Sequence, residues 1–154
     1  MERAGVTLIE FLVVLVIIGV LAGLAFFAWP DEAGRTAREM GRLFQQARFE
    51  AVKRESATAV VWNAAARTLE VRSDVESCAD AGVLVRTLNV SQRRVSQIDV
   101  NLAGGGLIWL PSNFARDCDN AAFGGTDAAT NVRVHGRSGV FTVDITAGGL
   151  VTVQ

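Results

Sequence analysis

The chain has 154 residues and a formal net charge of −1, with 15 basic residues against 16 acidic ones. That balance excludes a strongly basic protein that coats nucleic acid, while leaving room for a local basic patch. The length admits an N-terminal segment and one modest domain, and the residues after 30 are enough to bury a hydrophobic core.

The stretch AGVTLIEFLVV opens an apolar run in which Glu10 is the last charge before Asp31. As a helix, residues 11–29 would span roughly 28 Å, close to the hydrocarbon thickness of a bilayer. Four readings are open: a buried globular helix, a cleavable secretory signal, an ordinary membrane anchor, and an anchor whose helix is also an assembly surface. Long helices inside soluble domains usually keep a polar face, which disfavours the first. The run exceeds the apolar region of an ordinary secretory signal, and Glu2 cancels Arg3 in the leader. Glu10, a carboxylate inside the edge of the run, favours the fourth. The charge rule leaves orientation open, because Arg3 precedes the run while Arg35, Arg38, Arg42 and Arg48 follow it.

Trp29 stands where an interfacial aromatic anchors a span, and Pro30 permits a kink or a fresh helix start. From Asp31 to about Glu55 the period is helical: Ala33, Ala37, Met40, Phe44, Ala47 and Ala51 recur at spacings of four and three, with Leu43 alongside. One nearly continuous helix is therefore expected over 6–55. Beyond Ser56 the period changes to two. Residues 57–62 and 67–73 read as a hairpin through NAAA, and 83–90 and 95–102 as a second pair turning through SQRR. A short apolar strand follows at 107–110, then a long polar loop, then three strands near 132–136, 139–145 and 149–154, with Gly148-Gly149 as a turn. No internal repeat or low-complexity linker interrupts this pattern. The fold class is α+β: a long N-terminal helix, transmembrane and then amphipathic, packed on an antiparallel β domain of about 7–8 strands.

Cys78 and Cys118 fall in polar loops. They are either unrelated thiols or, in an oxidising compartment, a disulfide. Little supports catalysis. His135 is the only histidine and lies in a strand, and no His/Cys set has zinc spacing. Ser138 lacks the nucleophile-elbow pattern, and glycines 104–106 lack the Lys-Ser/Thr of a phosphate loop. Asp117, Asp119, Asn120 and Asp127 do not match the spacing of a calcium loop. No metal, cofactor or catalytic residue is expected.

Gly5 followed by VTLIEFLVVLVIIGVLAGLA closely resembles the class III signal of type IV pilins and type II secretion pseudopilins. The resemblance implies that residues 1–5 are a leader cut by a prepilin peptidase between Gly5 and Val6. Val6 then becomes the N-methylated first residue, where the family usually has phenylalanine, and Glu10 becomes the fifth. It also implies an inner-membrane protein with a cytoplasmic N-terminus and a C-terminal domain across the membrane, where a Cys78–Cys118 disulfide is favoured. The implied partners are other pilin or pseudopilin subunits, the peptidase/N-methyltransferase, the assembly platform and membrane lipid. Glu10 lies about one helical turn beyond Val6, so a carboxylate there must protonate, reach the interface or find a cation. The α-amine that cleavage creates on a neighbouring subunit is such a cation, which makes Glu10 a subunit-register contact.

GRLFQQARFEAVKRESATAVVW is similar to the start of the soluble domain in the GspH/FimT group of minor pilins and pseudopilins, through Ala47-Arg48, Glu50-Ala51-Val52 and Arg54. LIWLPSN and GVFTVDITAGGLVTV resemble that group's closing strands more loosely. The expected organisation is a leader at 1–5, a membrane and filament-core half-helix at 6–29, an amphipathic half at 30–56 and a β-rich domain at 57–154. The implied function is a structural subunit of a type II secretion pseudopilus or a type IV pilus. The alternative is a minor pilin that captures DNA for uptake, for which Arg93, Arg94, Arg133 and Arg137 are the candidate phosphate contacts. The C-terminal AGGLVTVQ, which holds no arginine, weighs against it.

Overall fold

The computed structural model describes residues 8–27 (backbone only at 25–27), 31–118, 130–146 and 148–154. Gly5, Val6, Trp29, Pro30, Asp119, Asn120 and Asp127 lie outside them. The chain divides into two compact units, Met1–Pro30 and Asp31–Gln154.

The first unit holds helix α1, Leu8–Phe27, whose only charged residue is Glu10 in its first turn. Among the described residues no helix is long and apolar enough to cross a membrane. The described side chains of α1 cover 8–24, about 25 Å of helix against ~30 Å of hydrocarbon.

The second unit opens with helix α2, Glu32–Arg54. Asp31 has extended backbone (φ −69°, ψ 116°), and its carboxylate accepts the Ala33 N–H at 2.9 Å, an aspartate N-cap. The nearly continuous helix expected over 6–55 is therefore two helices, because Asp31 satisfies the free amides of a new N-terminus. Glu32 in the first turn and Lys53 and Arg54 in the last complement the helix dipole. The helix ends at Glu55, in left-handed conformation, whose N–H returns to Ala51 and Val52 carbonyls. The apolar seam is the buried face: Ala33, Ala37, Met40, Phe44, Ala47 and Ala51 are fully enclosed, with Leu43 beside them.

Nine strands follow, in two antiparallel sheets. They are β1 Thr58–Asn63, β2 Thr68–Ser73, β3 Val83–Asn89, β4 Gln97–Asn101, β5 Gly106–Trp109, β6 Ala115–Asp117, β7 Asn131–His135, β8 Val140–Ile145 and β9 Val151–Val153. The first sheet has the order β3-β2-β1-β5-β6, the second β4-β7-β8-β9. One core joins the α2 seam to Val60, Leu69, Val71, Leu107 and Trp109 of the first sheet and to Val132, Val134 and Val143 of the second. Helix α2 thus lies against both sheets. Gly34 and Gly41 mark close approaches, since a Cβ at either would meet Phe141 or Val153 side-chain carbons at 2.9 Å. On the other face of the first sheet a smaller cluster packs Ala59, Ile108 and Val75. Burial on both faces explains why β5 is continuously apolar rather than alternating.

Two expectations about the strands are corrected. The ninth strand, β6, lies in the stretch read as irregular loop. Nor do β3 and β4 form a hairpin: β3 pairs with β2 at the edge of the first sheet, and β4 pairs with β7 in the second. Their connection is anchored instead of turning tightly. Val90 and Val95 are buried in the core, Arg93 pairs with Glu39 of α2 at 2.7 Å, and Arg67 donates to the Val95 carbonyl. Those contacts hold the chain in a crossing from one sheet to the other.

Candidate functional site

In α1 every described large apolar side chain is 51–80 % exposed, on all sides of the helix. Glu10 interrupts this surface at the helix N-terminal turn, where a carboxylate suits the positive end of the dipole. An apolar cylinder of this kind is stable only inside lipid or among other apolar helices.

In the second unit the sulfurs of Cys78 and Cys118 are bonded, with the Cα atoms 5.4 Å apart. The bridge ties the loop after β2 to the end of β6, across the width of the first sheet. Gly106 makes the approach possible: a Cβ there would strike the Val60 carbonyl oxygen and stand 2.9 Å from Cys118 Sγ. The bridged loop is well ordered by its own polar groups. The Asp80 carboxylate accepts the amides of Glu76 (2.7 Å) and Ser77 (2.8 Å) and the Ser77 hydroxyl, and these bonds hold its pKa below the ordinary 3.8. Asp74 and Glu76 stand exposed on this loop.

The four arginines considered for nucleic acid have different surroundings. Arg93 is turned onto α2, bonded to Glu39 and within 3.4 Å of the Thr36 hydroxyl. Arg133 is exposed on β7, directly opposite Asp99 of β4 and two residues from Asp144 along β8. Arg94 is exposed in the crossing segment, and Arg137 lies in the β7–β8 turn. Asp99 is itself held below the ordinary carboxylate range by its bonds from Gln97 and His135, the latter at 2.8 Å. The Ser138 hydroxyl donates a short hydrogen bond to Asp31, the α2 cap, and so braces the β7–β8 turn against the helix. His135 and Ser138 thus serve different acids, and no relay joins them. Among the described residues no set of His, Cys, Asp and Glu could hold a metal.

Two surface features went unread in the sequence. A cleft of about 470 Å³ lies between α2 and β3, lined by Arg35, Arg38, Arg42 and Arg86 with Glu39, Leu43 and Gln46. Its signal was half present, since Arg35, Arg38 and Arg42 recur at helical spacing off the seam. The neighbouring strand could not be inferred locally. The second is a shallow groove of about 370 Å³ on the opposite flank of α2. There Arg48 clamps two loops, donating to Asn113 Oδ1 (2.6 Å) and the Gly149 carbonyl (2.7 Å), beside exposed Phe49 and Leu150.

Residues 1–26 match the model of the prokaryotic N-terminal methylation motif, which supports a type IV pilin-like prepilin. No curated protein and no solved structure matches the chain.

Proposed function

We propose that the chain is a structural subunit, a minor pilin or pseudopilin of the GspH/FimT type, in a helical filament assembled on the inner membrane. The observation that carries this reading is the methylation motif at 1–26 in register with α1. Cleavage after Gly5 makes Val6 the first residue and places the one carboxylate of the helix, Glu10, at the fifth position, while α1 itself anchors the chain in the bilayer. In hydrocarbon a carboxylate is costly unless paired. A Glu10 bonded to the α-amine of an adjoining subunit would set the register of each addition. The role is mechanical, and the disulfide suits a domain beyond the inner membrane. A GspH-like domain favours a type II secretion pseudopilus, and FimT-like relatives favour a type IV pilus. DNA capture has less support, because Arg93 is paired with Glu39 and Arg133 stands opposite Asp99.

Two variants test the reading. Gly5→Ala is expected to leave the leader attached, read as the mass of the N-terminal peptide. Glu10→Ala is expected to remain membrane-inserted yet disappear from the sheared filament fraction. Normal processing of the first, or undiminished incorporation of the second, contradicts the proposal.

A further inference from the structure

The cleft between α2 and β3 concentrates positive charge on a chain whose net charge is −1. Its single carboxylate, Glu39, is already bonded to Arg93 at 2.7 Å. Among the described residues, the guanidiniums of Arg35, Arg38 and Arg42 make no ion pair or hydrogen bond, and that of Arg86 bonds only the neutral Gln46, at 2.8 Å. Four guanidiniums share this cleft with one carboxylate that is already paired, an excess of like charge that repels itself. Such an arrangement is held for an anionic partner, and arginine forks favour carboxylate or phosphate oxygens.

An acidic partner exists on the same chain, at a different height. Asp74, Glu76 and Asp80 crowd the disulfide-bridged loop; among the described residues no cationic side chain pairs with their carboxylates, those of Asp74 and Asp80 accept local bonds from Ser73, Glu76 and Ser77, and Arg72 donates to the Asp80 backbone carbonyl. This loop lies beside the C-terminal end of α2, where Arg54 Nη1 reaches Ser73 Oγ at 3.5 Å. From Arg42 to Arg54 the helix advances roughly 18 Å, so the acidic loop does not reach its own cleft. The cleft also offers no aromatic platform on which nucleotide bases would stack.

We propose that the arginine cleft receives the acidic, disulfide-bridged loop of a second copy of this chain, displaced along the α2 axis. The two surfaces are different patches, so the contact is head-to-tail rather than a two-fold pairing. This inference rests on the filament reading for its setting, but the contact itself can be tested without filaments. Steering and register are what such charges supply best, and the contact should weaken with salt.

The test uses the full chain in detergent micelles, in two differently tagged copies, one carrying a photo-crosslinking residue in place of Gln46. The expected product is an adduct to residues 74–80 of the other copy, reduced about tenfold by Arg38→Glu/Arg42→Glu. Pairing that variant with a copy carrying Asp74→Arg/Glu76→Arg should restore the adduct. Intact Cys78–Cys118 bonding in every variant, read by thiol alkylation, certifies folding. An adduct elsewhere, none at all, or no rescue by the swapped pair overturns the inference. So does duplex DNA binding that is lost in Arg38→Glu/Arg42→Glu while no copy-to-copy adduct forms. A Glu10→Ala copy should still form the adduct in micelles, so failure of the filament reading and failure of this contact give different results.

Discussion

The two helices of this chain are close in length and opposite in design. Helix α1 exposes apolar side chains around its whole circumference, whereas α2 gathers most of them into one seam and gives most of the rest of its surface to charged and amide side chains, with Phe49 and Val52 exposed among them. The difference teaches that apolar content alone does not build a core. In α2 the seam meets two sheets of the same domain, so burial stabilises the fold. In α1 the equivalent side chains stand exposed, so they add nothing to a core of that kind.

That contrast can be broken by substitution. Phe44→Ala removes a fully buried ring at the junction of α2 and both sheets, and should destabilise the soluble unit by about 3–5 kcal/mol. Leu15→Ala on α1 should leave the same unfolding transition unmoved. Thermal unfolding of the full chain in detergent, followed by near-ultraviolet dichroism, compares the two. Equal effects would mean that α1 contributes to the domain's core.

The disulfide comes next in size. Cys78→Ser with Cys118→Ser opens a link across 40 residues, worth about 4 kcal/mol on the chain-entropy estimate. Reduction with dithiothreitol should lower the unfolding midpoint of the parent protein to that of the double variant. A parent insensitive to reductant would contradict the bridge.

Smaller effects probe the break between the helices. Asp31→Ala removes the N-cap and the brace to Ser138, and should cost about 1 kcal/mol in denaturant unfolding. A helix that ran unbroken through this position would need no cap and lose nothing. The pH dependence has a definite sign. Hydrogen bonds from Ser138 and then Ala33 hold Asp31 below 3.8 in the folded state. Its contribution is therefore present above that value and lost as pH falls through the lowered one. Asp80 and Asp99 act in the same direction. The Asp31→Ala protein should lose less stability than the parent below pH 3.8, measured by chemical denaturation at stepped pH.

Much of the domain was legible. Spacings of three and four identified the large and alanine side chains of the α2 seam, though not Gly34, Thr36 and Gly41 buried beside them, and the change to period two after Ser56 located eight of the strands. What local pattern cannot encode is pairing between distant segments. The SQRR segment looked like a turn, yet Val90, Val95 and Arg93 bind it to the core and to α2, which sends β3 and β4 to different sheets. The three-residue strand β6 is too short and polar to show a period, and it forms because β5 offers an open edge. The arginine cleft was hidden for a related reason: three of its guanidiniums share a helix face, but Arg86 reaches them only through the β2–β3 pairing. At the N-terminus the motif was readable from residue types alone, because glycine, glutamate and an apolar run in fixed register state their chemistry locally.

The central claim is that a cut after Gly5 frees the N-terminus that leads into α1, and that this helix is used in assembly. The most direct measurement is the mass of the N-terminal peptide of this protein recovered from a sheared filament or pseudopilus fraction. A peptide beginning at Val6 and bearing one methyl group is the predicted result. Filament-associated protein that still begins at Met1, or protein cut at Gly5 that never enters the fraction, would contradict it.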